Sequence, residues 1–323
     1  MSGNKWLAPY WAAVFCVTIS HCDAQTYPVR PIRMIVPYAA GGGVDVMARL
    51  IAPRLSERLG QQIVVDNRAG ATGNIGAELA ARSVPDGYTV LMAGASIAIN
   101  VSLYAKRPFE LTKDLAPVTL VANSPNIVLV HPSLPAKSIR ELIALAHSRP
   151  GQLNYASGGS GSTLHLTAEL FKTMTHVDIV HIPYKSTGPA ILAVISGEAS
   201  MAMPPLAGMM GHVESGRLRA LAVTSSKRLS TLPNLPTVAE SAVPGFESGQ
   251  WYAVLVPTGT PADIVNRLQT DLVQVVRAPD VVAHITREGT FPLGSTPPEC
   301  GRFIAREIDK WAKVVKASGA RVE

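Results

Sequence analysis

Cysteine is scarce in this 323-residue chain, which has three in all. Cys16 and Cys22 lie in a segment that reads as an export signal: Lys5, a mostly apolar stretch from Trp6 to Ile19, then SHCDAQ. Cleavage is expected near Ala24, with residues 1–24 removed, which leaves Cys300 alone. One thiol excludes an intramolecular disulfide and a cysteine-built zinc site. Long hydrophobic runs are missing too. The stretch from Trp6 to Ile19 is broken by Pro9 and falls short of the ~20 residues that cross a bilayer as a helix. An exported, soluble protein is the expectation, with the periplasm as its address. A chain of this size can bury enough apolar surface without disulfides.

Aromatic residues make up only 6% and charged residues only 16%. The net charge is +6, and loss of Lys5 and Asp23 with the signal leaves it unchanged. Small anions are therefore favoured partners. Nucleic acid is not, because the basic residues are dispersed, without a Lys/Arg stripe or interleaved aromatics. The histidines show no H-E-x-x-H or other close metal spacing, so no metal and no cofactor is expected. GATGNIG from Gly70 lacks both the G-x-G start of a dinucleotide loop and the phosphate-binding lysine of a P-loop. GGSGS in the middle of the chain stops short of G-x-S-x-G, and nothing in the spacing ties an Asp and a His to it. A serine hydrolase is the minor alternative, and an enzyme is not the expectation.

What the chain does have is Ala, Val, Leu and Ile in short runs, each followed by small residues and then by helical spacing. That alternation builds α/β sheets. Nine strands are expected, at 32–37, 62–66, 89–93, 127–131, 153–156, 179–183, 199–204, 218–224 and 252–257. Helical periodicity is clear in VDVMARLIAPRLSERLG, where Met47, Ile51, Leu55 and Leu59 form one stripe. A last helix over 298–317 carries Phe303, Ile304, Ile308, Trp311 and Val315 on one side and should pack on the sheet of the terminal lobe. Turn residues cluster at 121–126 and 241–248, which suggests two crossings between lobes. One lobe would combine residues 25–123 with 248–323. Residues 124–247 would form the other, with a hinge and a binding cleft between them.

Four strand-to-helix junctions could hold an anion: PYAAGGGVD, LMAGASIAIN, NYASGGSGSTLHL and IPYKSTGPA. Unsatisfied N–H groups at a helix start carry partial positive charge, and glycine lets a ligand approach them closely. In the first junction, Gly41, Gly42 and Gly43 serve either a tight turn or ligand contact, and Asp45 reads as first-turn helix support. The third crowds Ser157, Ser160, Ser162 and Thr163 around three glycines, Gly159 among them. Since a cap needs only one hydroxyl, the surplus favours a binding surface. His165 reads as a packed helix residue. In the fourth junction Thr187 can cap, while Lys185 is either a ligand cation or a solvated lysine. AMPPLAGMM, from Ala202, is either core packing or an apolar pocket wall.

Several long segments in order then carry a resemblance: YPVRPIRMIVPYAAGGGVDVMARLIAPRL through GYTVLMAG, HPSLPAKSIRELIALAHSRPGQLNYASGGSGSTLHLTAELF, HIPYKSTGPA, GRLRALAVTSSKRLSTLPNLPTVAES and PTGTPADIVNRL. The chain resembles the Bug-type receptors of tripartite tricarboxylate transporters over essentially its whole length after residue 24. The resemblance implies a type II periplasmic-binding-protein fold, two α/β lobes each built on a mainly parallel sheet. It also implies no chemistry, a small organic anion as ligand and transient contact with membrane transporter subunits. Dicarboxylates, acidic amino acids and aromatic acids all fit that ligand class. A monomer is expected. The ligand carboxylate would be held by Tyr38, Ala39 and Gly41–Gly43 of the first loop and by Ser157, Gly159, Ser160, Ser162 and Thr163 of the second lobe. Ser96, Lys185, Ser186 and Thr187 would complete the pocket. Ser186 departs from the family pattern, in which glycine commonly follows the lysine. A periplasmic sensor feeding a signalling partner is the rival reading.

Overall fold

A computed structural model describes residues 27–287 and 289–319, so the signal segment lies outside the described residues. The chain opens with β1 (Ile32–Val36), α1 (Gly43–Leu59), β2 (Ile63–Asn67), α2 (Asn74–Ala81), β3 (Thr89–Gly94), α3 (Ser96–Leu103), α4 (Leu111–Asp114) and β4 (Leu115–Pro125). Its middle holds β5 (Ile127–Val130), α5 (Ile139–Ser148), β6 (Asn154–Ser157), α6 (Thr163–Thr175), β7 (Val180–Pro183), α7 (Thr187–Ser196), β8 (Met201–Ala202), α8 (Met210–Glu214), β9 (Arg219–Val223) and α9 (Val238–Ser241). It closes with β10 (Gly249–Pro257), α10 (Ala262–Val276), α11 (Pro279–Arg287), β11 (Phe291–Pro292) and α12 (Pro297–Ser318).

The strands form two sheets, ordered β11-β4-β10-β3-β1-β2 and β7-β6-β8-β5-β9. β1 is parallel to β2 and β3, whereas β10 runs antiparallel to both β3 and β4. In the second sheet β6 is parallel to β7 and β8, and β5 runs antiparallel to β8 and β9. Four of five strands in the second sheet, and β1 to β4 in the first, thus share a direction. Each sheet admits one reversed interior strand, and that strand is the one arriving from the other sheet. The expectation of mainly parallel sheets holds in direction, while the hydrogen-bonded ladders are mixed.

All nine expected strands are present, and the one at 199–204 shortens to the two residues of β8. Two more were unforeseen. Of the turn-like residues at 121–126, all but Asn126 belong to β4, which pairs along its whole length with β10, Ser124 opposite Gln250 and Pro125 opposite Gly249. The tertiary partner overrides the local turn preference. The chain then passes from sheet to sheet at Asn126, whose side-chain amide donates to Thr167 Oγ1 (2.8 Å) and Met203 O (2.9 Å). The return crossing, at Ser248, is tied to the same threonine (2.6 Å), and its carbonyl accepts from Thr224 Oγ1 (2.6 Å). A buried polar knot thus holds the two crossing segments side by side.

β1 is apolar on both faces because helices cover both, and Ile32, Met34, Ile35 and Val36 are fully buried. α12 begins with a complete capping box, Thr296 with Glu299. Its Ile304, Trp311 and Val315 are buried, with Phe303 and Ile308 half-buried beside them. It packs on β4 and α3 as expected of a helix of the terminal lobe, but it also reaches α6 beneath the second sheet. No helix among the described residues is long and apolar enough to cross a membrane.

Candidate functional site

The β1–α1 junction is shaped by one acid. Asp45 is buried, and its carboxylate accepts from the Gly41 N–H (2.8 Å), from Arg49 Nε (3.0 Å) and from the Asn67 amide (2.9 Å). Burial opposes its ionisation, but those donors outweigh burial and hold the carboxyl below its ordinary range. The acid therefore braces the loop, as the sequence suggested. Gly41 turns the chain at φ +82, where a side chain would be strained. Gly42, the N-cap, is extended and offers no side chain to the helix. The first turn of α1 thus begins at Gly43 with N–H groups that no cap satisfies, and they face a cavity of about 560 Å³.

That cavity lies between the sheets. From the first come Tyr38, Gly41, Gly42, Gly43, Ser96, Gln250 and Tyr252; from the second come Thr163, Pro205 and Ala207; and Ser124 sits at the crossing. The Tyr38 hydroxyl shares a 2.5 Å hydrogen bond with Ser96 Oγ. Burial, only partly offset by hydrogen bonds to Ser96 and Gly94, pushes that phenol up to about 12.

Tyr252 is the telling residue. It is only 7% exposed, and its hydroxyl has no hydrogen-bond partner among the described residues. The ring packs in the core of the first sheet while the hydroxyl reaches the start of α1; a Cβ added at Gly43 would stand 3.0 Å from it. Burial raises this phenol to about 12, so at neutral pH it stays a proton donor. Ser124 is likewise buried with its hydroxyl unpaired among the described residues, and the half-buried Thr163 and the buried Thr290 add two more unpaired hydroxyls to the wall. Donors left unpaired beside an uncapped helix start are what an anion would satisfy.

Of the sequence-derived candidates, Tyr38, Gly41, Gly42, Gly43, Ser96 and Thr163 line this cavity together. Ala39 is exposed on the loop beside it. The serine-rich loop is mostly occupied with itself. Ser157 is buried and bonded to His181 Nε2 (2.6 Å), and it accepts from the Gly159 N–H (3.1 Å). Ser162 caps α6, accepting from the His165 N–H and donating to Gly159 O (2.7 Å). Ser160, Lys185 and Ser186 are exposed, and Gly159 is half-buried. Thr187 does not cap α7: the N-cap position falls to Ser186, which makes no side-chain cap bond. The AMPPLAGMM segment divides, with Met203 and Leu206 in the core and Pro205 and Ala207 on the cavity wall.

His165 is a packed residue, as expected. Its Nδ1 accepts from the Gly161 N–H (3.1 Å), and its ring stacks on His181 at 4.2 Å, which stacks in turn on Tyr155. Burial, helped by repulsion from His181, pulls its pKa down to about 4, and burial lowers that of His181 as well. The neutral pair thus supports the loop from below.

Sequence reasoning missed Ser124, Gln250, Tyr252, His284, Ile285 and Thr290, all of which line the cavity. Those at 124, 250 and 252 sit in paired strands read as linker or core, His284 and Ile285 lie in α11 and Thr290 just after it; only tertiary folding brings them to the loop. Among the described residues no group of three His, Cys, Asp or Glu could hold a metal ion.

Two α/β sheets joined by paired crossings, with a cavity between them that presents an uncapped helix start and unpaired hydroxyls, define a two-lobed binding protein of the type II periplasmic class. The tripartite tricarboxylate transporter family receptor model, TctC, matches residues 47–320, and the chain belongs to that family. It is 40% identical over 303 residues to protein BugT of Bordetella pertussis, covering 93% of each chain. Among solved structures it is similar to R. palustris Rpa4515 with adipate, at 39% identity and a TM-score of 0.77 over 91% of this chain and 98% of that one. MatC from Rhodopseudomonas palustris with bound malate aligns at 30% identity and a TM-score of 0.74, covering 90% of this chain and all of the other.

Proposed function

We propose that this protein is an exported receptor that captures a small organic carboxylate between its lobes and hands it to a tripartite-type membrane transporter. The observation that carries the reading is the pairing of the Tyr252 hydroxyl, which borders the cavity without a partner among the described residues, with the uncapped start of α1. A carboxylate there would accept from Tyr252 and from the backbone N–H groups of the first turn, in a setting where the helix dipole adds attraction. Relatives solved with adipate and malate support a carboxylate as the ligand. The lobes proposed are residues 25–123 with 248–323, and 124–247, closing about the crossings at Asn126 and Ser248. Closure would bring the serine-rich loop and the segment from Lys185 to Thr187 toward the ligand, and differential affinity for the closed form would drive it. Export to the periplasm rests on the signal grammar of residues 1–24.

Isothermal titration of the chain without residues 1–24, against carboxylates and their uncharged amides, tests the reading. Carboxylates should bind and the matching amides should not. Equal binding of both, or of neither, refutes it.

A further inference from the structure

The cavity is chemically two-ended. At one end stand the α1 start, Tyr38, Ser96, Thr163 and Tyr252. From there the wall follows α1 itself through Val46, Met47 and Leu50, with Ile285 of α11 beside them. From Gly43 to Leu50 the helix rises roughly 10 Å, so this apolar strip extends well beyond a carboxylate seated at the helix start. Val46 is 48% exposed on a helix whose Val44, Met47, Ala48 and Ile51 are all buried. Pro205 and Ala207 give the opposite wall the same character. Among the described residues no lysine or arginine lines the cavity, and the remaining polar lining is Ser124, Gln250, His284 and Thr290.

Resting on the carboxylate reading above, we infer that the ligand carries a single anionic head and an apolar body, aliphatic or aromatic, which lies along Val46 and Leu50. The head takes the N–H groups of α1 and the Tyr252 hydroxyl. The body covers the exposed valine and removes apolar surface from water on both sides, worth about fourfold in affinity per buried methylene. A second carboxylate at the far end of such a body would be stripped of water beside Val46, Leu50 and Ile285 with no lysine or arginine to meet it and only the His284 imidazole as a basic side chain on the wall, and that loss works against the two-headed ligand. The wall thus selects against charge where the head site selects for it.

Matched acids that differ only in the second head decide the matter. Hexanoate against adipate and benzoate against terephthalate are titrated into the chain without residues 1–24, near neutral pH. The one-headed member of each pair should bind at least about tenfold more tightly. The Val46→Lys variant, altered at an exposed position and checked for an unchanged melting temperature, should narrow or reverse that preference by offering the missing cation. Equal or tighter binding of the two-headed acids by the unaltered protein overturns the inference and leaves the carboxylate reading standing. A preference untouched by Val46→Lys also overturns it, since the strip would then lie outside the ligand's path. If no acid of either kind binds, the carboxylate reading falls and this inference with it.

Discussion

Replacing Tyr252 by Phe removes one oxygen and keeps the ring in the core of the first sheet, where it stands opposite Gly94 and Ala122 on the neighbouring strands. Because the hydroxyl has no partner among the described residues, its loss should not cost the folded protein a hydrogen bond. A polar group confined without a partner is itself a burden of about 1–3 kcal/mol when fully cut off from water. This hydroxyl borders a cavity and retains some solvation, so the expected effect on stability runs from neutral to a gain of about 1 kcal/mol. For the ligand the sign is opposite. A hydrogen bond to a carboxylate is worth about 1.5–3 kcal/mol, so Tyr252→Phe should weaken carboxylate binding by roughly ten- to a hundredfold. Titration calorimetry gives the affinity, and urea denaturation of the ligand-free protein gives the stability. Loss of stability with affinity intact would refute the reasoning, since it would mean that the hydroxyl serves the fold and the carboxylate binds elsewhere. Affinity for uncharged control compounds should not move.

Gly43→Ala places a methyl 3.0 Å from the Tyr252 hydroxyl, at the helix start, and should weaken carboxylate binding about tenfold, read by the same titration. Asp45→Asn should lower stability by about 2 kcal/mol at neutral pH and loosen the Gly41 turn. The folded carboxyl lies below its ordinary value of 3.8, so Asp45's contribution is full above that pH and fades as pH falls through the lower folded value. Urea midpoints of wild type and variant should therefore converge in acid. His165 must stay neutral to fold: with its pKa depressed from 6.5 to about 4, the unfolded chain takes up the proton first, and stability falls as pH drops between those values. The loss amounts to about 3 kcal/mol by the size of the shift, and His165→Asn, which keeps an acceptor for the Gly161 N–H but does not titrate there, should flatten that part of the profile in urea titrations at stepped pH.

Much of the fold was legible because parallel sheets announce themselves locally. Both faces are buried, so each strand is an apolar run, and each crossover is a helix with one apolar stripe. The nine strands and the loops at their carboxyl ends follow from that. β4 was not legible, because Asn123, Ser124 and Pro125 have the local preferences of a turn and become strand only through pairing with β10. The serine-rich loop shows the opposite failure. Its hydroxyls read as a surplus, yet Ser157 and Ser162 are used within the loop, on His181, Gly159 and the start of α6. Hydroxyl count is visible in a sequence; what each hydroxyl already bonds is not.

By itself the sequence determined the α/β class, the strand-to-helix loops, the glycine-rich start of α1 and the bracing role of Asp45, since each depends on residues within a few positions of one another. The tertiary structure decided the rest of the cavity. Tyr252 stands 209 residues from Gly43 in the chain and meets it only because the second crossing returns β10 antiparallel beside β3. Val46 is an ordinary helical valine in the sequence, and only the placement of α11 and the opposite lobe makes it the exposed wall of a cleft. Local patterns fix what a segment can become; which polar and apolar groups are left unpaired at the end depends on everything else that packs around them.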